Sequence, residues 1–365
     1  MPFSGRNYSL RQHTVKTFAD FCDPRTLAQI GLIAGGAFLL AACEPENETD
    51  TPVTAGVLDR EGDYLELVST GVMESIDSDG VAAVAFLPDT STAWSGFIAA
   101  SAEEGGIDLF DIEGQSVHRM TGSRLWGLAA APGFQLRGES LPLLFGADRD
   151  TNLVRAYALL RTGPELIEAP IQPISPQGDI ASVCGLDEGI GYVDLMVLSR
   201  GTTAEIWRVA DNGGDLISAT RRARFDLPSP VRTCAAGNGY IYASGPAGGI
   251  VRLSDDGQVE AQTDGYALSL AAGEFLGRPV LILSNGTNDT LEIRDGRTLE
   301  LIGDAIIRDG FSIPGVDQPG AISATESSYG GTAYQSGLVA VADEADGRIR
   351  LIARETFARG IIVID

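Results

Sequence analysis

Histidine and lysine are nearly absent from this 365-residue chain, and that scarcity limits the chemistry open to it. His118 is the one histidine beyond residue 42, and Lys16 is the one lysine. A zinc site with several histidines is excluded, and so is a Schiff-base lysine beyond residue 42. His118, in Ser116-Val117-His118-Arg119, reads as a strand histidine, satisfied or exposed, more readily than as a catalytic one. The four cysteines carry more. Leu40-Ala41-Ala42-Cys43 is a lipobox pattern: small side chains before a cleavage point, then a thiol that can accept a diacylglycerol. Before it, residues 27–42 form an apolar run too short and too rich in Gly and Ala for a comfortable membrane span. The expected organisation is a lipoprotein signal peptide over 1–42, a polar tether over 43–55 and a folded domain over 56–365. The competing reading is an ordinary cleaved signal that ends in Ala-Ala-Cys. On the first, the chain is a lipid-anchored protein of the cell envelope that meets the membrane through its anchor alone. Glu44 after the cysteine, in place of Asp, favours the outer membrane. Cys184 and Cys234 remain; an oxidising compartment allows them to pair, and two small buried hydrophobes is the other reading.

Charge narrows the partners. Fifty acidic residues face 26 basic ones, a net of -24. Removing residues 1–42 deletes Arg6, Arg11, Lys16 and Arg25 but only Asp20 and Asp23, which leaves -26. Such a domain repels nucleic acid and anionic lipid head groups. It suits divalent cations that bridge it to an anionic ligand.

The elements that must position any site are strands. Short β-branched and aliphatic runs recur beyond residue 55, broken by Gly, Asp-Gly and Asn-Gly turns, with no useful amphipathic helical stretch. One pattern returns six times: Gly106–Phe110, Leu153–Tyr157, Glu205–Val209, Gly249–Leu253, Thr290–Arg294 and Arg348–Ile352. A second apolar run usually precedes it, as at 97–100, 194–197, 240–243 and 280–283. Asp211-Asn212-Gly213-Gly214 and Asp255-Asp256-Gly257 sit where outer hairpins must turn. The spacing predicts an all-β fold, a six-bladed β-propeller. A sandwich has a similar strand count but does not account for the repeated period. The domain is expected to be a monomer.

Three stretches, read in order, resemble the β-propeller phytases. They are 97–114; 225–253, with Phe225-Asp226-Leu227-Pro228 and Tyr240-Ile241-Tyr242-Ala243; and 315–343, with Gly315-Val316-Asp317-Gln318-Pro319-Gly320. The resemblance implies a calcium-dependent phosphomonoesterase acting on phytate or a related organic phosphate. Calcium is a hard cation held by several carboxylates and carbonyls, and it polarises the phosphoryl group. By matching position, Asp79, Asn285 and Asp317 are the expected calcium ligands, and Arg149 and Arg200 the expected phosphate-holding groups. Asp317, Arg149 and Arg200 together make the expected catalytic set. Other family positions carry different chemistry: Glu103-Glu104 where the family has lysines, and Trp126-Gly127, Arg232, Gly245 and Leu268 where it has metal-binding or catalytic side chains. Two functions therefore stand. One is a weak 3-phytase-like phosphoric monoester hydrolase; the other is a catalytically degenerate propeller that binds a ligand or partner at the envelope. Asp343-Glu344-Ala345-Asp346-Gly347 looks like a calcium loop but reads better as a solvated turn.

Overall fold

Alternation of aliphatic and polar residues in runs of four to ten is what a half-buried strand requires, and these runs become strands throughout. The structure, a computed structural model, describes residues 64–73, 80–285 and 289–362. The expected signal peptide, Cys43 and Asp79 lie outside the described residues.

Six antiparallel sheets of four strands follow one another along the chain. Blade 1 is Val81–Leu87, Phe97–Ala102, Ile107–Phe110 and Ser116–Met120, and blade 2 is Leu125–Ala131, Leu143–Asp148, Leu153–Leu160 and Glu165–Glu168. Blade 3 is Ile180–Gly189, Tyr192–Ser199, Thr203–Ala210 and Ser218–Asp226. Blade 4 is Thr233–Gly237, Tyr240–Gly245, Gly249–Leu253 and Val259–Thr263, and blade 5 is Ser269–Phe275, Arg278–Ser284, Leu291–Asp295 and Leu301–Arg308. Blade 6 takes Pro319–Thr325, Leu338–Asp343 and Arg348–Ala353 from the C-terminal end and its outer strand, Gly71–Val72, from the other end of the fold. Gly71 pairs with Leu351 and Val72 with Arg350, which ties the two ends together. Leu65–Val68 adds a parallel fifth strand outside blade 5, Leu65 opposite Ala305.

The first strand of each blade touches the first strand of the next, and that of blade 6 returns to that of blade 1, so the ring is closed. These inner strands are rich in small residues, as in Val81-Ala82-Ala83-Val84-Ala85, Thr233-Cys234-Ala235-Ala236-Gly237 and Pro319-Gly320-Ala321. Strands converging on one axis leave little room for larger side chains. The core is correspondingly divided into six apolar clusters, one at each blade interface. The six repeated segments are the third strands of the six blades, and the runs preceding them are second strands. Both acidic Gly turns join third to fourth strands, as expected.

Two features add to the sequence expectation. Arg354–Ile362 is an α-helix that seats Phe357, Ala358 and Ile361 in the cluster between blades 5 and 6. Its nine residues include Thr356 and Gly360, too short and too mixed a pattern to register as amphipathic. Cys184 on the inner strand of blade 3 and Cys234 on that of blade 4 form a disulfide, with Cα atoms 6.0 Å apart. Among the described residues no helix is long and apolar enough to cross a membrane.

Candidate functional site

One end of the ring carries the loops between outer and inner strands and those between second and third strands. Six equivalent positions lie at that end, each the residue immediately after a blade's second strand: Glu103, Arg149, Arg200, Pro246, Asn285 and Glu344 in blade order. The backbone sets them in a common way. The N–H groups of Glu103, Arg149, Arg200 and Glu344 donate to the carbonyls of Gly80, Arg124, Asp179 and Gln318, at 3.1, 3.3, 2.7 and 2.8 Å, each acceptor shortly before its blade's inner strand. Blades 4 and 5 reverse the direction: the N–H groups of Arg232 and Leu268 donate to the carbonyls of Ser244 and Ser284.

Beneath the ring lies a cavity of about 310 Å³. Its walls are the small inner-strand residues, its hydroxyls include Ser182, Thr233 and Ser323, and its charged lining groups are Arg149 and Arg232. Arg149 is the anchor. Its guanidinium stacks on the Trp126 ring, 3.6 Å from the centroid, and Nη2 donates to the Ala181 carbonyl at 3.5 Å. Its buried Nε has no hydrogen-bond partner. Burial, then repulsion from Arg200, Arg232 and Arg124, pushes the Arg149 guanidinium down to about 10. Glu103 acts on it in the opposite sense. Arg124 is paired with Asp150, whose carboxylate accepts from its Nε at 3.1 Å. Among the described residues no carboxylate lies within ion-pairing distance of Arg149, Arg200 or Arg232.

A backbone irregularity sets the Trp126–Arg149 stack. Gly146 pairs with Leu128 and Ala147 with Trp126, so Gly127 is an extra, bulged residue. It holds φ +72, and a Cβ there would sit 2.1 Å from Ser182 Oγ and 2.8 Å from the Val183 carbonyl oxygen. Glycine alone fits, and the bulge re-aims Trp126.

The expected residues separate in space. Arg149 and Arg200 come together at the mouth. Asp317 is exposed, its N–H donating to Asp343 Oδ2 at 3.1 Å, and of the expected residues Arg149 lines the cavity while Arg200, Asn285 and Asp317 do not. Buried Asp343 also accepts the N–H groups of Gln318 and Ala345, and Asp346 pairs with Arg350. The 343–347 segment is thus a self-satisfied turn. Among the described residues no group of three His, Cys, Asp or Glu side chains is placed to hold a metal ion. The cavity lining, guanidiniums and hydroxyls without a carboxylate, does not fit a hard dication. They fit an anion. His118 lies on the outermost strand of blade 1, away from the channel lining.

Sequence reading missed Glu344 as a mouth residue and treated Arg232 only as a lost carboxylate. The signal that finds Glu344 is its position one residue past a second strand.

No family model matches the chain, and no curated protein matches it. Among solved structures it is similar to the β-propeller domain of Cps50 (Swd1) from Myceliophteria thermophila, at 12% identity over 78% of this chain and 99% of that one, with a TM-score of 0.45. It is also similar to BBS1N from its complex with ARL6DN in mercury-soaked crystals, at 10% identity over 75% and 77% of the two chains, with a TM-score of 0.46.

Proposed function

We propose that this chain is a phytase-like propeller of the cell envelope that binds a small organic phosphate at its channel mouth and does not turn it over. The observation that carries the reading is that Arg149 and Arg232 are the charged groups lining one cavity and, among the described residues, neither is in an ion pair, in a chain of net charge -24; Arg200 lies near enough to repel Arg149. The partly buried Arg149 guanidinium, with the exposed Arg200 and Arg232 beside it, is an unpaired cation cluster that a bound phosphate neutralises through charge-assisted and often bidentate contacts. Hydrolysis needs more: a group or ion that prepares a water for attack. The described lining of the cavity offers hydroxyls and guanidiniums for binding and no carboxylate or imidazole for that task. The volume, about 310 Å³, suits a compact ester. Calcium has no part in this reading, and the membrane contact is the lipid on Cys43.

Thermal unfolding of the full chain in detergent, with inorganic phosphate or phytate and with EDTA or calcium, tests it. Phosphate should raise the melting temperature to the same extent in EDTA and in calcium. Saturation at a hundred times Kd adds about 2.7 kcal/mol. Arg149→Met should abolish the shift. No stabilisation by either anion, or sustained calcium-dependent phosphate release, would overturn the reading.

A further inference from the structure

The six mouth positions are sorted by charge. In ring order they run Glu103, Arg149, Arg200, Pro246, Asn285 and Glu344, and because the ring is closed Glu344 stands next to Glu103. Arg232 of blade 4 extends the cationic arc, which spans blades 2 to 4. The acidic arc spans blades 6 and 1. Both glutamates are laid over the start of their own inner strands. A Cβ on Gly80 would sit 3.0 Å from Glu103 Cδ, and one on Gly320 would sit 2.7 Å from Glu344 Cγ. Glycine at these two places leaves space for the carboxylates to lie along the rim. Burial, then Glu103 and Asp343, pushes the Glu344 carboxyl up. Glu103 is within electrostatic reach of Arg149, yet among the described residues neither glutamate is in an ion pair. The two arcs occupy different blades of one ring of positions and meet where Glu103 of blade 1 neighbours Arg149 of blade 2.

We propose that the mouth is bipolar and selects a zwitterion: a phosphate ester whose chain ends in an ammonium group, phosphate on Arg149, Arg200 and Arg232, ammonium on Glu103 and Glu344. The proposal rests on the phosphate-binding reading above and adds the second charge. A simple dianion would be drawn to the arginines and repelled by the adjacent glutamates. A ligand with both charges relieves both arcs, and discrimination of this kind comes as much from the repulsive element as from the attractive one.

Calorimetric titration of the full chain in detergent tests it with matched pairs: 2-aminoethyl, 3-aminopropyl and 4-aminobutyl phosphate against ethyl, propyl and butyl phosphate. The best amino compound should bind at least about tenfold more tightly than its alkyl partner, the scale of one or two charge-assisted contacts at a half-open site. In the doubly substituted Glu103→Gln, Glu344→Gln protein the pair should become equal, with alkyl phosphate affinity unchanged or improved. Both glutamates are exposed in loops, so melting temperature verifies that the variant is folded. Equal affinities in the parent would overturn the bipolar assignment and leave phosphate binding standing. A preference that survives the double substitution would overturn the role of these two carboxylates. Binding of neither series would overturn both proposals. Vesicles of phosphatidylethanolamine added to the soluble complex identify the source. Displacement assigns the group to a lipid headgroup and its absence assigns a free ester, and the proposal holds in both cases.

Discussion

Reduction of the Cys184–Cys234 disulfide should cost this fold more stability than any single loop substitution. The bond joins the inner strands of blades 3 and 4, half a ring from the pairing of Gly71–Val72 with Arg348–Ala353 that closes blade 6. The two ties therefore restrain opposite sides of the propeller. The sequence separation is 50, and a cross-link closing a loop of that size removes about 14 cal/mol/K from the unfolded chain, or about 4 kcal/mol at 25 °C. For the described residues, 64–73, 80–285 and 289–362, unfolding entropy of about 2.1 cal/mol/K per residue converts that into a fall in melting temperature of roughly 7 °C. Calorimetry of the full chain, oxidised and then with excess phosphine reductant, measures it directly. The doubly substituted Cys184→Ala, Cys234→Ala protein should resemble the reduced parent and should not respond to reductant. Both sulfurs sit in the apolar cluster between blades 3 and 4, so the alanine variant should fall somewhat further than the reduced one through lost packing. Because Arg200 and Arg232 are carried by blades 3 and 4, reduction should also weaken phosphate binding. A reductant-induced shift below about 2 °C would refute the argument, since it would mean that the cross-link does not restrict the unfolded chain.

Two further outcomes follow from the mouth. Gly127→Ala must force a Cβ onto Ser182 and the Val183 backbone at positive φ, so it should destabilise by about 2 kcal/mol or more and lower phosphate affinity through loss of the Trp126–Arg149 stack, read by urea unfolding and by titration. Glu344→Gln should be more stable than the parent at pH 7, with the difference shrinking as pH falls through the carboxylate range. The sign follows from linkage. A carboxyl held above its ordinary value binds its proton more tightly in the native state, so it lowers stability as pH rises through its titration and ceases to do so once protonated. A difference between the two proteins that does not change with pH, in paired urea titrations, would contradict the arrangement of the acidic arc.

Much of the architecture was legible in the residues because strand periodicity and turn chemistry are local. The six third-strand segments could be counted, and the Asn-Gly turn at 211–214 and the Asp-Gly turn at 255–257 placed the outer hairpins, since short-range backbone preferences do not wait for the rest of the fold. The helix at Arg354–Ile362 was not legible. Its stability comes from Phe357, Ala358 and Ile361 reaching a cluster built by blades 5 and 6, which is tertiary packing and not helix propensity. The pairing of Gly71–Val72 with the last blade escaped for the same reason: two residues carry no pattern, and only ring closure provides a partner.

The site divides along the same line. Residue types alone ruled out multi-histidine and lysine chemistry and singled out Cys184 and Cys234, because scarcity and identity are properties of the chain, whereas Arg149 and Arg200 were singled out by the family resemblance. Whether the cysteines pair depended on two inner strands whose cysteines are separated by 50 positions in sequence coming within a Cα separation of 6.0 Å. Whether Asp317 and Asn285 line the cavity depended on which loop residues the ring turns inward, and it turned neither. The segregation of arginines from glutamates around the mouth is set by blade order on a closed circle. In the chain Glu103 and Glu344 stand at opposite ends of the domain; only closure makes them neighbours, and only then does the mouth acquire two poles.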